Sequence, residues 1–222
     1  FTGVPAHFRP IASLLNEAGY TVNVPRLAGH GTNPEDLADT RSADWIASAR
    51  AAITDVTDHA RIHLAGLSMG GHLSLLLAGE AGAATVTMIN SPVIVRDKKF
   101  YLTPIAKHFV RDVEWSETAA PDLDPELQQY WLPYAGFPTQ SAAELFAIMR
   151  RALWAAHRLD IRSLVIQSRT DETVDPRSAK ILAQLLGDNC TLEWLDDSIH
   201  CAVLDRERDK IAATMLERMA NC

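Results

Sequence analysis

Two hydrophobic rhythms alternate along the chain. Short apolar or β-branched runs, bounded by Gly, Pro, Asn or Asp, predict strands at 20–25 (YTVNVP), 61–67 (RIHLAGL), 84–90 (ATVTMIN), 163–168 (SLVIQS) and 190–195 (CTLEWL). Apolar residues at helical spacing predict helices over 6–18 (ending at Gly19), 42–58, 69–81, about 177–186 and about 203–219. Residues 26–37 (RLAGHGTNPEDL) read as Gly/Asn/Pro loop chemistry. Strands alternating with helices predict an α/β fold with a mostly parallel sheet covered on both faces. The rhythm breaks between Ser91 and about Asp160, where prolines and helical patches carry Phe100, Tyr101, Phe109, Trp115, Tyr130, Trp131, Tyr134, Phe137 and Phe146. This stretch reads as an insertion over one edge of the sheet.

Composition narrows the class. The 222 residues suffice for one domain with a sizeable core, and 47% hydrophobic with 22% charged content is that of a globular chain. A formal net charge of −7 argues against general affinity for nucleic acid or anionic membranes, which clustered Lys and Arg would drive. The basic runs, Arg96-Asp97-Lys98-Lys99 and Arg150-Arg151, read as solvated faces. Cys190, Cys201 and Cys222 have neither a disulfide-framework nor a zinc spacing. No stretch reaches the roughly 18–20 apolar residues of a membrane span and no signal peptide is visible, so a cytoplasmic protein without stable membrane insertion is expected.

The candidate chemistry lies in LAGLSMGGH, residues 64–72. A G-x-S-x-G turn between strand and helix needs small residues, because its serine occupies strained backbone where side chains would collide. Gly66, Ser68 and Gly70 fit that pattern, with a predicted strand before and a predicted helix after. The helix start also directs free N–H groups towards developing negative charge. The competing interpretation is a plain tight turn. A serine nucleophile needs a base, and the base needs an orienting acid. Later in the chain, Asp171 follows the strand at 163–168, and His200 occupies a loop after the strand at 190–195. The order Ser68, Asp171, His200 is the one this turn requires. Asp175, before Pro176, reads as a helix cap, and Asp196 and Asp197 as solvated loop residues. His72 reads as packed, His63 as a strand residue, and His30 as a structural loop histidine. His7, His59, His108 and His157 read as surface or cap residues. No metal and no cofactor is expected from these spacings.

These residues resemble the α/β-hydrolase superfamily, and more narrowly small bacterial carboxylesterases and monoacylglycerol lipases. FTG at 1–3 is similar to the end of that family's H-G-F-T-G oxyanion segment, and EAGYTVNVPRLAGHG to its G-Y-x-V-x-x-P-x-x-x-G-H-G stretch. GLSMGG is similar to its elbow, SRTDETVDP to its acid loop, and DDSIHCAVLDRERDKI to its histidine loop, with Ile199 where the family usually has glycine. The resemblance implies an α/β-hydrolase fold with nucleophile Ser68, acid Asp171 and base His200. It also implies an oxyanion hole from the backbone N–H groups of Phe1 and Met69. The core would comprise 1–91 and 159–222, with 92–158 as a lid. The resemblance further places a strand before the oxyanion segment, between 20–25 and 61–67. Without it, two rows of backbone groups would be unpaired at about 1–3 kcal/mol each, so residues preceding Phe1 are expected.

The implied activity is hydrolysis of carboxylic esters with a short-to-medium acyl chain, monoacylglycerols among them, the partners being a small ester and water. The same triad also serves thioesterases, carbon–carbon hydrolases and peroxidase-like enzymes. A non-catalytic ligand-binding protein would keep the fold without needing all three triad members.

Overall fold

The computed structural model describes residues 1–56, 58, 61–114, 123–132, 134–220 and 222, so His59 and Trp115 lie outside the described residues. Four strands form one parallel sheet in the order β1 (His63–Leu67), β2 (Thr85–Ile89), β5 (Arg162–Ser168), β6 (Cys190–Leu195). The two inner strands explain the continuous apolar runs: every residue of β2 is buried, and β5 is buried from Ser163 onward. Buried on both faces, such strands lose the polar alternation of a half-exposed one.

Helices cover both faces. On one, α1 (Arg9–Glu17) packs against α9 (Arg208–Ala220), with Ile11, Leu15, Ile211, Met215 and Met219 meeting Ile89, Leu164, Ile166 and Leu195 of the sheet. On the other lie α3 (Ser42–Thr54), α4 (Met69–Leu77), α7 (Thr139–Ala156) and α8 (Arg177–Leu186). The segment between β2 and β5 holds α5 (Thr103–Ala106), the antiparallel pair β3 (Asp112–Glu114) and β4 (Gly136–Pro138), α6 (Pro125–Gln128) and α7. Its last helix is part of the core, since Leu145, Ile148, Met149 and Ala152 are buried with α4.

Three local expectations are corrected. Residues 20–25 have strand-like alternation, yet they join no ladder among the described residues. Among the described residues β1 likewise pairs only on its β2 side, and Ala65 in its middle is exposed. A cavity lies between: residues 20–25 and 61–67 both line a single space of about 1420 Å³. A second correction concerns 34–37, read as loop, which belong to α2 (Pro34–Asp39). Asn33 caps it by accepting the Asp36 N–H at 2.8 Å, and Pro34 occupies the first turn, where its missing donor costs nothing. Third, His7 is buried and stacks on Trp131 at 5.7 Å between ring centres, so it is no surface residue.

His30 and His72 are also buried. His72 Nε2 lies 2.8 Å from the Pro92 carbonyl, and His30 Nδ1 lies 3.0 Å from that of Ala28. Burial lowers His7, His30 and His72 from 6.5 to about 4 in each case. The folded chain keeps them neutral down to that range, whereas the unfolded chain takes up their protons near 6.5. Their contribution to stability is complete above the unfolded value and is lost as pH falls towards the folded one. The melting temperature is therefore expected to drop between about pH 7 and about pH 4.5. His72→Gln, which keeps a donor for Pro92, is expected to flatten that slope in thermal melts followed by circular dichroism.

Candidate active site

β1 ends at Leu67 and α4 begins at Met69, leaving Ser68 alone at the turn with φ 54° and ψ −117°. Left-handed backbone at a serine is costly and persists only where its surroundings enforce it. Here the Ser68 N–H donates to the Ile89 carbonyl at 2.7 Å, and the Ser91 hydroxyl donates to the Ser68 carbonyl at 3.1 Å. The neighbouring glycines are not equivalent. A Cβ at Gly66 would lie 2.0 Å from the Gly70 carbonyl carbon, and one at Gly71 would lie 2.1 Å from Ser91 Oγ. Gly70 itself has open space and lines the cavity. The sequence pattern treats Gly66 and Gly70 alike; packing requires Gly66 and Gly71.

Asp171, fully buried, lies in the loop after β5. Its Oδ1 accepts the N–H groups of Thr173 at 2.8 Å and Val174 at 2.7 Å. Its Oδ2 accepts from Gln167 Nε2 at 3.2 Å and lies 2.9 Å from His200 Nδ1. Arg96, from the segment after β2, fixes the same loop by donating through Nε to the Asp171 carbonyl at 2.8 Å. The expected acid and base are thus brought together, with His200 Nε2 left on the far side of the ring. Ser68, His200, Phe1 and Met69 all line the one large cavity. Phe1 packs its ring against His30, Trp45 and Phe137.

The loop bearing His200 is held by carboxylates that motif reading left unassigned. Glu207 accepts from the Asp196 N–H (3.1 Å), the Asp197 N–H (2.9 Å) and the Ser198 hydroxyl (2.8 Å). Asp205 accepts the Ile199 N–H at 2.6 Å, and Glu172 accepts the His200 N–H at 3.0 Å. Ile199 is not among the residues with positive φ, so this loop does not require the glycine it lacks. The competing aspartates fall where the sequence put them. Asp175 accepts the Arg177 N–H at 2.9 Å at the start of α8, while Asp196 is exposed and pairs with Arg169 at 2.9 Å. Cys201, next to His200, is buried, and burial pushes its thiol up to about 12. It is a packing residue rather than a nucleophile. Among the described residues no group of three or more His, Cys, Asp or Glu side chains is arranged to hold a metal ion. None of the described helices is long and apolar enough to cross a membrane.

A parallel sheet whose strand ends present a strained serine and an Asp–His pair defines a hydrolase of the α/β type. The match to known proteins agrees with that geometry. The model of the alpha/beta hydrolase family matches residues 1–214, and the chain belongs to that family. It is 32% identical over 227 residues to a thermostable monoacylglycerol lipase of Bacillus sp. (strain H-257), covering 99% of this chain and 87% of that protein. It is 24% identical over 220 residues to a carboxylesterase of Bacillus subtilis (strain 168), covering 98% and 88% respectively. A solved structure from work on the metagenome-derived lipolytic enzymes LipS and LipT superposes with a TM-score of 0.89 at 28% identity, over 100% of this chain and 91% of that one. The chain is a hydrolase.

The unequal glycines give a direct test. Gly66→Ala drives a methyl into backbone and is expected to cost at least about 3 kcal/mol or prevent folding. Gly70→Ala meets open space and is expected to keep the melting temperature within about 3 °C of the parent. Thermal melts of the two variants check this.

Proposed function

We propose that this hydrolase is a serine carboxylesterase acting on carboxylic esters with a short-to-medium acyl chain, monoacylglycerols among them, through an acyl-enzyme on Ser68. One observation carries the reading. The strained Ser68 opens onto the same cavity as His200, whose Nδ1 lies 2.9 Å from the buried, fully hydrogen-bonded Asp171. The relatives named monoacylglycerol lipase and carboxylesterase support the ester class.

In the proposed reaction Ser68 Oγ attacks the ester carbonyl carbon while His200 Nε2 takes the hydroxyl proton. The backbone N–H groups of Met69 and Phe1 hold the resulting oxyanion, each donor lowering the barrier by about 2.7–4 kcal/mol. Collapse breaks the bond to the alcohol oxygen, which leaves with the proton from His200. Water then attacks the acyl-enzyme, His200 taking its proton and returning it to Ser68 Oγ as the carboxylic acid departs. Asp171 holds the imidazole in the tautomer with the proton on Nδ1 and stabilises the imidazolium formed at each step.

Residues 92–158 are proposed as the lid. Phe100, Val110, Val113, Tyr134 and Phe137 from this segment line the cavity beside Ser68, a surface suited to an acyl chain. Tyr134 ties the segment to the loop at 26–33: its hydroxyl accepts the Thr32 N–H at 3.0 Å and donates to the Gly29 carbonyl at 3.2 Å.

The test is hydrolysis of p-nitrophenyl esters of increasing acyl length by the parent and by Ser68→Ala. Ser68→Ala is expected to lower kcat at least about 1,000-fold, and the parent is expected to prefer short-to-medium chains. A fluorophosphonate should label the parent and spare the variant. Turnover retained in Ser68→Ala, or a parent that is neither active nor labelled, would overturn the reading.

A further inference from the structure

We propose that Asn90 is a positioning residue for His200, its side-chain amide fixing the backbone of the base-bearing loop against the strand that leads to the acid. The inference rests on the reading of Ser68, Asp171 and His200 as the reacting triad.

Asn90 is the first residue after β2. It is fully buried and has φ 45°; with Thr2 and Ser68 it is one of three non-glycine residues with positive φ among the described residues. Both ends of its amide are used. Oδ1 accepts the Ser168 N–H at 2.8 Å, at the end of β5 and three residues before Asp171. Nδ2 donates to the carbonyls of His200 at 2.9 Å and Ile199 at 3.3 Å. Its own N–H donates to the Ile166 carbonyl at 2.9 Å, which locks the residue to β5. The next residue, Ser91, donates to the Ser68 carbonyl. Two consecutive residues thus contact the backbone of the nucleophile and of the base, and the strand leading to the acid.

The chemistry selects an amide here. Glu172, Asp205 and Glu207 accept from the N–H groups of the histidine loop, so they satisfy its donors. The carbonyls of Ile199 and His200 need a donor instead, and the Ser168 N–H, on the same side chain's reach, needs an acceptor. Of the small side chains, asparagine supplies both and also tolerates left-handed backbone. A carboxylate lacks the donor unless protonated, and an aliphatic side chain of similar size lacks both. Displacement of the His200 backbone would move Nε2 away from Ser68, and misplacements of this size cost turnover more than binding.

The experiment measures ester hydrolysis by the full chain and its Asn90→Leu and Asn90→Asp variants, with Ser68→Ala as control. Asn90→Leu is expected to lower kcat at least about tenfold while KM stays within about twofold, and to slow fluorophosphonate labelling in parallel. In Asn90→Asp the protonated carboxyl regains a donor, so the ratio of its kcat to the parent's is expected to rise as pH falls from about 9 to about 5.5. A folded Asn90→Leu protein with kcat within about twofold of the parent would overturn the proposal. If Asn90→Leu does not fold, the Asp series decides alone, and a ratio independent of pH overturns it. Residual turnover in Ser68→Ala would instead mark failure of the triad reading beneath it.

Discussion

The closeness of the elbow to the strand beside it constrains everything else. At Gly66 the backbone of β1 touches the first turn of α4 with no room for a methyl group, and at Gly71 that turn rests on Ser91 just beyond β2. These two contacts hold the turn that carries Ser68, in left-handed backbone, at the carboxyl end of the sheet. Because β2 and β5 run parallel to β1 in adjacent register, their ends emerge at the same level. The acid loop, the base loop and Asn90 all grow from that level. Once the sheet forms in order, Ser68, Asp171 and His200 all stand at its carboxyl end.

The legible and illegible parts of the sequence divide along that line. The elbow, the acid and the base are each signalled locally, by glycine spacing, by a strand followed by an aspartate, and by a histidine loop after the last strand. Strands β2 and β5 were legible for the same reason, since burial on both faces writes itself as an apolar run. Residues 20–25 show why such a run is insufficient. Their alternation is strand-like, but a strand exists only with a neighbour, and the space beside them is a cavity. The short pair β3 and β4 has too few residues to carry a period. Asn90, Arg96 and Glu207 act on groups tens of residues away or through backbone atoms, and no local pattern records that. The cap at Asn33 with Pro34 was legible in principle and was outweighed by surrounding loop residues.

Ligand pockets usually enclose about 300–1,000 Å³; this space of about 1420 Å³ runs from Ser68 to β1 and residues 20–25. The aromatic side chains of the segment between β2 and β5 close one side of it. The same segment is anchored at both ends, by Arg96 on the acid loop and by α7 within the core.

The carboxylates that hold the histidine loop have a second effect. Asp171 and Glu172 contact His200 directly, Asp205 and Glu207 accept from residues 196–199 just before it, and Glu172 lines the cavity. A neutral ligand enters this field without penalty. A carboxylate anion, ionised well below neutral pH, would instead stand among charges of its own sign, in a chain whose formal charge is −7. The carboxylates that steady the His200 loop thus also disfavour anions beside it, so the means of holding the loop together sets which charge can rest there.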